Sequence, residues 1–320
     1  RCSPSAASNL IRSPRVSDRS QAAPSAPPVS DWSALLDLAL AEDVGPGDVT
    51  SDVVIDAARQ GRGRIEARQT MVVCGLPIAR EVFRRVDPDL VVESIDGIED
   101  GAVAETGQPL LRIHGRYASI LTGERTALNF MGRLCGIASQ SQRLVDLVSD
   151  LSVDLVDTRK TTPGWRLLEK YAVAVGGGLN HRIGLYDALL VKDNHIAAAG
   201  SLDLAVVRAV QNSPEGLPVQ IEVESEAAAD RAIELGCNFL LLDNMTPETI
   251  AKIVERHSKN VVLEASGGIH EGNLRAYAET GVARISMGAL THSVMSADVA
   301  LEIDLEDGDQ DEAPSESASA

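Results

Sequence analysis

The chain has 320 residues, of which 44% are hydrophobic, and a formal net charge of −18. This length and apolar content suffice for the cores of two domains, whereas the acidic charge argues against a nucleic-acid partner, because no excess of Lys and Arg exists to displace counterions. No apolar run approaches the ~20 residues of a membrane helix, and the widely spaced Cys2, Cys74, Cys135 and Cys237 indicate neither a disulfide framework nor a zinc site. We therefore predict a cytoplasmic protein without a membrane partner.

The two ends of the chain have the composition of disordered segments. Residues 1–30 are rich in Ser, Ala, Pro and Arg, which predicts a disordered extension. The same composition is typical of an organellar transit peptide, so an organelle is the alternative location. Residues 304–320 continue an acidic run that has seven acids between Glu302 and Glu312, and we expect a flexible acidic tail there.

Residues 31–135 have the pattern of a small α/β sandwich domain. Asp31 is a candidate N-cap for a helix through the apolar residues 35–40, and the turn residues 45–50 end that helix. Short alternating runs between 61 and 113 predict half-buried strands, interrupted by a helix over 77–86. A helix over 117–148 has Glu124 inside its apolar face and Arg125 at the edge. These two charges form either a structural ion pair or part of a binding surface.

Residues 136–303 contain a different pattern, in which a short apolar strand, a loop and a helix repeat. Strands covered on both faces are expected to be short, apolar and rich in β-branched residues or Leu. Six such runs are followed by helical stretches, which favours a partly open α/β barrel with a carboxyl-terminal return. The absence of a GxGxxG motif in the first unit argues against a dinucleotide fold. The predicted strands are 153–157, 188–192, 219–224, 239–243, 261–265 and 283–287.

The chemistry of this predicted barrel lies just past its strands, where functional residues of α/β barrels collect. Cations follow the first two strands, carboxylates follow the middle strands and Ser/Gly turns follow the last two. Glu222 and Glu224 are expected on one face of their strand, because side chains alternate with a period of two. The residues at these ends are Arg159, Lys160, Lys192, Glu222, Glu224, Asp243, Ser266, Gly267, Gly268, Ser286, Met287 and Gly288.

The Ser/Gly turns predict a phosphate site. Glycine lets the backbone approach closely and direct N–H groups at an anion, and the following helix adds its positive end. Glu222 and Asp243 could be a general acid/base pair, metal ligands or partners of nearby lysines. A phosphorylated substrate favours Mg²⁺, which takes few carboxylates and keeps phosphate oxygens and water as ligands. Arg159, His181 and Arg182 offer the bidentate contacts that a dicarboxylate requires.

Several long motifs, in the same order along the chain, resemble the quinolinate phosphoribosyltransferase family. The resemblance begins at Glu42-Asp-Val-Gly-Pro-Gly-Asp-Val-Thr-Ser and covers roughly residues 31–303. The other motifs are Gly123-Glu-Arg-Thr-Ala-Leu-Asn, Asp157-Thr-Arg-Lys-Thr-Thr-Pro-Gly, Gly176-Gly-Gly-Leu-Asn-His-Arg, Leu190-Val-Lys-Asp-Asn-His-Ile, Leu241-Leu-Asp-Asn-Met, Glu264-Ala-Ser-Gly-Gly-Ile and Gly288-Ala-Leu-Thr-His-Ser.

The resemblance implies an amino-terminal α/β sandwich plus a partly open α/β barrel, working as a homodimer or larger oligomer with shared active sites. It implies that quinolinate and phosphoribosyl pyrophosphate react with Mg²⁺ to give nicotinate mononucleotide, pyrophosphate and CO₂. Lys160, Glu222 and Asp243 would be catalytic, and the two carboxylates would hold the metal directly or indirectly. The implied substrate-binding residues are Arg125, Thr158, Arg159, Lys160, His181, Arg182, Lys192, Glu222, Asp243, Ser266, Gly267, Gly268, Ser286, Met287 and Gly288.

Within that set, the resemblance implies three groups. Arg125, supplied by the neighbouring subunit, would contact the quinolinate carboxylates, and Arg159, His181, Arg182 and Lys192 would complete a cationic cage. Lys160 would reach the phosphoribosyl donor, while Glu222 and Asp243 would serve the ribose and its metal. The two Ser/Gly turns would hold the 5′-phosphate.

Three other functions remain compatible with the residues. A paralogue of the same fold, such as the related molybdenum-operon protein, would act on another pyridine or anion. A Schiff-base aldolase would use Lys160 or Lys192 as its nucleophile but would leave Arg159 and Arg182 without a role. A non-catalytic sensor of a phosphorylated ligand would not need two cationic clusters beside a carboxylate pair.

Overall fold

A computed structural model of the chain describes residues 24–304. The predicted acidic tail and most of the predicted disordered extension therefore lie outside the described residues. The helices are α1 (Val29–Val44), α2 (Val49–Val54), α3 (Leu76–Val86), α4 (Tyr117–Asp146), α5 (Arg166–Val175), α6 (Asp193–Ala199), α7 (Leu202–Asn212), α8 (Glu226–Glu234), α9 (Pro247–His257), α10 (Glu271–Ala278) and α11 (Ala289–His292).

The strands complete the secondary structure of the described residues. They are β1 (Gln60–Ala67), β2 (Met71–Val72), β3 (Val91–Ser94), β4 (Val103–Ala104), β5 (Pro109–Arg116), β6 (Asp154–Val156), β7 (Leu189–Val191), β8 (Val219–Val223), β9 (Phe239–Asp243), β10 (Val262–Ser266), β11 (Arg284–Ser286) and β12 (Val299–Asp304). None of the helices between residues 24 and 304 has the length and apolar character needed to cross a membrane.

The chain divides into two compact units. The N-terminal unit comprises Ser33–Cys135 and, from the other end of the described chain, residues 296–304. The barrel unit comprises Gly136–Met295 together with the described residues up to Trp32.

The N-terminal unit is built on a four-stranded sheet in the order β12-β1-β5-β3. All three strand pairs are antiparallel, and the apolar side of α3 contributes the fully buried Ile78 and Phe83 to the core. β12 was not predicted as a strand, and this carboxyl-terminal return joins the sheet of the N-terminal unit by pairing with β1. The α/β sandwich predicted for this region is confirmed.

The barrel unit contains a six-stranded sheet in the order β6-β11-β10-β9-β8-β7. Every pair is parallel, and the helices α5 to α10 alternate with the strands along the chain. Each observed strand overlaps the predicted one, and β6 and β7 lie at the two ends of the strand order. The prediction of a partly open α/β barrel is therefore confirmed.

Local chemistry explains where the sequence predictions of element bounds were wrong. The first helix begins at Val29 rather than after Asp31. The predicted turn after Gly45 is followed at once by α2, because the Asp48 side chain caps it by accepting from the backbone N–H groups of Thr50 and Ser51 at 3.2 and 3.0 Å. Glu224 was predicted to share a strand face with Glu222. It lies outside β8, which ends at Val223, and it is exposed, whereas Glu222 is buried.

Candidate active site

A cavity of about 910 Å³ opens in the barrel unit beyond the carboxyl ends of its strands. Strand register assembles its rim: Asp243 at the end of β9 pairs with Ser266 at the end of β10. The predicted site residues that line the cavity are Thr158, Arg159, Lys160, His181, Arg182, Lys192, Asp243, Ser266, Gly267, Gly268, Ser286 and Gly288.

Three predicted site residues do not line this cavity. Glu222 is buried, and it contacts the cavity wall through Lys192, whose Nζ lies 2.7 Å from Glu222 Oε2. Met287 is 1% exposed and therefore belongs to the core. Arg125 belongs to the N-terminal unit, where its side chain is 63% exposed and its Nη2 lies 3.9 Å from Glu124 Oε1.

One wall of the cavity carries Arg159, Lys160, Arg182 and Lys192. Arg159 and Lys160 form no ion pair with a carboxylate between residues 24 and 304, and the buried Nε of Arg159 has no hydrogen-bond partner in that range. Burial and the nearby charge of Arg159 lower the pKa of Arg182. A wall of mutually repelling cations with few protein partners is poised to bind an anion.

A buried ion pair stabilises the loops that carry these cations. Lys170 is paired with Asp157, and both side chains are at most 2% exposed. Lys170 Nζ also donates to the backbone oxygen of His181 at 2.9 Å, and Asp157 Oδ1 accepts from the backbone N–H of His181 at 2.7 Å. Burial raises the pKa of Asp157 to about 6 and lowers the pKa of Lys170. The pair connects the end of β6 to the His181 loop.

The ring of His181 is enclosed by protein groups. Its Nδ1 accepts from the backbone N–H of Arg182 at 2.7 Å, and its Nε2 lies 3.0 Å from Gln220 Oε1 and 3.6 Å from Glu264 Oε1. Burial lowers the pKa of His181, so the ring is neutral near pH 7. Arginines and lysines therefore supply the positive charge of the wall near pH 7, and the cationic role of His181 stays a prediction.

The two Ser/Gly turns also line the cavity. Gly267 and Gly268 have φ angles of +91° and +63°, and a Cβ added to Gly267 would lie 2.2 Å from Asn244 Oδ1. A Cβ on Gly288 would lie 2.8 Å from His292 Nε2. At Gly267 only glycine is tolerated, because its φ is positive and the added Cβ would also lie 2.7 Å from the backbone nitrogen of Asn244. Such turns let backbone N–H groups approach a phosphate.

Sequence reasoning left several residues of the cavity unassigned. Asn244, His270, His292 and Ser293 also line it. Asn244 has a φ of +54°, unusual for a residue other than glycine, and its side chain donates to Asp243 Oδ2 at 2.7 Å. His292 Nδ1 lies 2.6 Å from Ser293 Oγ. Asn244 and His292 belong to motifs that the sequence analysis identified, but only the folded structure shows that they line the cavity.

The carboxylates at the cavity suit a metal ion that is bound partly by substrate. Among the described residues, no cluster of three or more His, Cys, Asp or Glu side chains could hold a metal by itself. Asp243 lines the cavity, whereas Glu222 is engaged by Lys192. Mg²⁺ commonly takes one or two carboxylates and completes its shell with phosphate oxygens and water, so these residues fit Mg²⁺ brought with a phosphorylated substrate.

Comparison with known proteins gives one consistent answer. The family description "Quinolinate phosphoribosyl transferase, N-terminal domain" matches residues 48–135, and the corresponding C-terminal domain matches residues 137–302. A probable nicotinate-nucleotide pyrophosphorylase [carboxylating] of Bacillus subtilis is 40% identical over 82% of the chain and 90% of its own length. A chloroplastic nicotinate-nucleotide pyrophosphorylase [carboxylating] of Oryza sativa is 36% identical over 92% of the chain and 85% of its own length.

A solved structure agrees with these relatives. The nicotinate-nucleotide pyrophosphorylase from Francisella tularensis has a TM-score of 0.83 and 36% identity, and the match covers 87% of this chain and 98% of that protein.

Proposed function

Because the chain belongs to the quinolinate phosphoribosyltransferase family, we propose that it is a nicotinate-nucleotide pyrophosphorylase that joins quinolinate to phosphoribosyl pyrophosphate. The products are nicotinate mononucleotide, pyrophosphate and CO₂. The observation that carries this proposal is one cavity that is lined both by the cations Arg159, Lys160, Arg182 and Lys192 and by the two Ser/Gly turns. That combination suits a dicarboxylate and a phosphorylated sugar at the same time.

The cationic wall is the proposed quinolinate site. Quinolinate has two adjacent carboxylates, and a guanidinium binds a carboxylate with two parallel hydrogen bonds. Arg159 and Arg182 would grip these groups, and Lys192, held by Glu222 at 2.7 Å, would add charge at a fixed position. Because His181 is neutral, it would shape the site without adding charge.

The Ser/Gly turns are the proposed site of the 5′-phosphate, with Ser266, Gly267 and Gly268 on one turn and Ser286 and Gly288 on the other. Lys160 lies beside the second turn, since a Cβ on Gly288 would approach Lys160 Cδ to 3.0 Å. Its ammonium group would therefore reach the phosphoribosyl donor that the turns hold.

The reaction requires positioning and charge neutralisation rather than a covalent nucleophile. The bond between ribose C1 and pyrophosphate breaks, and the pyridine nitrogen forms a new bond to C1 through an oxocarbenium-like transition state. The nitrogen becomes positively charged and stabilises the electron pair left on the ring carbon when the adjacent carboxylate leaves as CO₂. That carbon then takes a proton from solvent, which gives nicotinate mononucleotide. Lys160 would stabilise the leaving oxygens, and the cationic wall would hold the ring in line with C1.

Mg²⁺ is part of this proposal. Asp243 would hold it directly or through water, and Glu222 would act next to it through Lys192; when bound, Mg²⁺ supplies positive charge at the pyrophosphate oxygens. Glu222→Gln and Asp243→Asn should lower activity far more than stability and raise the Mg²⁺ concentration needed for half-maximal activity. If both variants keep the wild-type Mg²⁺ profile, neither carboxylate serves the metal.

We also propose a homodimer or larger oligomer in which Arg125 serves the cavity of the neighbouring subunit. Arg125→Ala and Lys160→Ala proteins should each be nearly inactive. Mixing them should restore up to about a quarter of the activity, because half of the dimers are mixed and each has one intact site. If subunit exchange is demonstrated and no activity returns, Arg125 acts within its own subunit.

The direct test is an assay with quinolinate, phosphoribosyl pyrophosphate and Mg²⁺, in which nicotinate mononucleotide should form with one CO₂ per turnover. Absence of product would favour a paralogue that uses another pyridine or anion. Borohydride added with substrate should trap no adduct on Lys160 or Lys192, whereas a Schiff-base aldolase would be trapped. The proposed location is the cytoplasm, and a carboxyl-terminal fluorescent fusion found in an organelle would contradict it.

A further inference from the structure

Below the cavity lies a carboxylate to which the reaction assigns no role. Ser266 lines the cavity at the end of β10, and the two-residue period of a strand puts Glu264 on the same face, one layer deeper. Its register partners are Leu241 on β9 and Arg284 on β11. Glu264 is 0% exposed, and neither of its oxygens has a hydrogen-bond partner between residues 24 and 304. A buried polar group without a partner is costly and calls for an explanation.

The ring of His181 lies close to this carboxylate. Its Nε2 lies 3.6 Å from Glu264 Oε1 and 3.0 Å from the amide oxygen of Gln220 on β8. The backbone of His181 is fixed on both sides, because its N–H donates to Asp157 at 2.7 Å and its carbonyl accepts from Lys170 at 2.9 Å. These two backbone hydrogen bonds hold the His181 loop in place, with the ring close to Gln220 and Glu264.

The other nitrogen of the ring determines where its proton lies. Nδ1 is 2.7 Å from the backbone N–H of Arg182, and a backbone N–H can only donate. In the neutral ring, this contact favours the tautomer in which Nδ1 accepts and Nε2 carries the proton. That proton points at Gln220 and Glu264.

Gln220 and Glu264 differ in whether they require a proton on Nε2 of His181. An amide can turn over and present either its oxygen or its NH₂ group, so Gln220 alone accommodates both tautomers. An ionised carboxylate can only accept. A carboxylate at position 264, 3.6 Å from Nε2, therefore favours the tautomer that the Arg182 N–H also favours.

We propose that Glu264 is a positioning residue for substrate binding, which acts through the tautomer of His181 on the backbone of Arg182. The proposal deepens the proposed function, since it rests on Arg182 as a quinolinate ligand. With the proton on Nδ1, two N–H groups would face each other across 2.7 Å. The Arg182 backbone would then move, and with it the guanidinium, which donates to the Ala188 carbonyl at 3.1 Å.

Two variants separate this role from simple packing. Glu264→Gln keeps the size of the side chain but loses the acceptor-only group. The second variant exchanges the two residues, Gln220→Glu with Glu264→Gln, so that composition and charge are unchanged and an acceptor-only group again faces Nε2.

The first measurement is the tautomer of His181 by ¹⁵N NMR of histidine-labelled protein without substrate, and the second is quinolinate affinity by calorimetry. Wild type should show the Nε2–H form alone. Glu264→Gln should show both tautomers and bind quinolinate about tenfold more weakly, which corresponds to ~1.4 kcal/mol. The exchanged variant should recover the single tautomer and most of the affinity.

The control is Glu81→Gln, which removes a mostly buried carboxylate of the N-terminal unit and should alter neither measurement. The proposal is overturned if Glu264→Gln retains the wild-type tautomer and affinity, even when its melting temperature falls. It is also overturned if the exchanged variant recovers neither property. If wild type does not bind quinolinate, the proposed function fails, while the tautomer measurements still decide whether Glu264 controls His181.

Discussion

The arginines of the N-terminal unit and the cations of the barrel cavity differ in their partners. In the N-terminal unit, Arg85 contacts Glu81 at 2.9 Å and also pairs with Asp37, and Arg64 contacts both Glu66 and Asp304. In the barrel cavity, Arg159 and Lys160 contact no carboxylate among residues 24–304, although the whole chain carries a net charge of −18. Cations left unpaired in an acidic protein thus mark where an anionic substrate belongs.

The barrel unit also contains the extreme case of a paired cation. Lys170 is 2% exposed and is held by the fully buried Asp157. The cations of the protein are thus of two kinds: some are paired and support the fold, and others have no carboxylate partner and are available to a ligand. Removing the first kind should cost stability, and removing the second kind should cost binding or activity.

The largest effect is expected at the buried pair. Lys170→Met should lower the free energy of unfolding by about 3–5 kcal/mol, because it leaves Asp157 buried without its counter-charge. Urea unfolding at pH 7.5 measures this loss. The matched variant Lys160→Met should change stability by under about 0.5 kcal/mol while abolishing most activity. Equal stability losses in the two variants would break the distinction.

A smaller effect, on binding alone, is expected at Arg159. Arg159→Lys keeps the charge but loses the planar fork, so quinolinate affinity should fall by about 1.5–3 kcal/mol, as measured by calorimetry. Arg208→Lys, at an exposed position of α7 in the same unit, is the control and should bind normally. Unchanged quinolinate affinity in Arg159→Lys would remove Arg159 from the proposed site.

The buried aspartates Asp87 and Asp157 should have pKa values that are shifted in opposite directions. Burial raises the pKa of Asp157 to about 6. For Asp87, burial acts in the same direction, but hydrogen bonds from Ser119 and Arg116 outweigh it and lower the pKa below the ordinary 3.8. Both values can be followed by ¹³C NMR of the carboxyl carbons, and similar values for the two residues would contradict the prediction.

A stability difference follows from the lowered pKa of Asp87. A carboxyl group whose pKa is lower in the folded state contributes stability above its unfolded pKa and loses it as the pH falls through the folded value. The stability advantage of wild type over Asp87→Asn should therefore be constant above pH 5 and should shrink below 3.8. An advantage that is independent of pH would show that the charge of Asp87 does not contribute.

The smallest effect is expected for surface pairs. Arg256 contacts Glu226 at 3.1 Å and Asp230 at 3.3 Å, and all three side chains are at least one-third exposed. Water and salt screen such pairs, so Arg256→Met should leave both the thermal midpoint and quinolinate affinity within experimental error. A large destabilisation would mean that pairing on the surface also supports the fold.

Much of the site could be predicted because, in a parallel barrel, residues that follow the strands in the sequence lie at one edge of the barrel. A residue just past a barrel strand lies at the functional edge, and this rule located Arg159, Lys192, Asp243 and Ser266, all of which line the cavity. The rule failed at Glu224, because the alternation of side chains ends where β8 ends, at Val223. The sequence predictions also missed β12, although apolar and acidic residues alternate from Leu301 to Asp304; the burial of its side chains does not alternate.

The sequence by itself determined the order of strands and helices, the glycine turns and the identity of the residues at the strand ends, because these depend on local periodicity and backbone geometry. Only the tertiary structure decided which of those residues meet. Lys192 is held by Glu222, Asp157 is paired with Lys170, and His181 is neutral beside Glu264. Such partners come from different elements, and burial sets their charge. Register and desolvation are properties of the folded chain, which no single segment encodes.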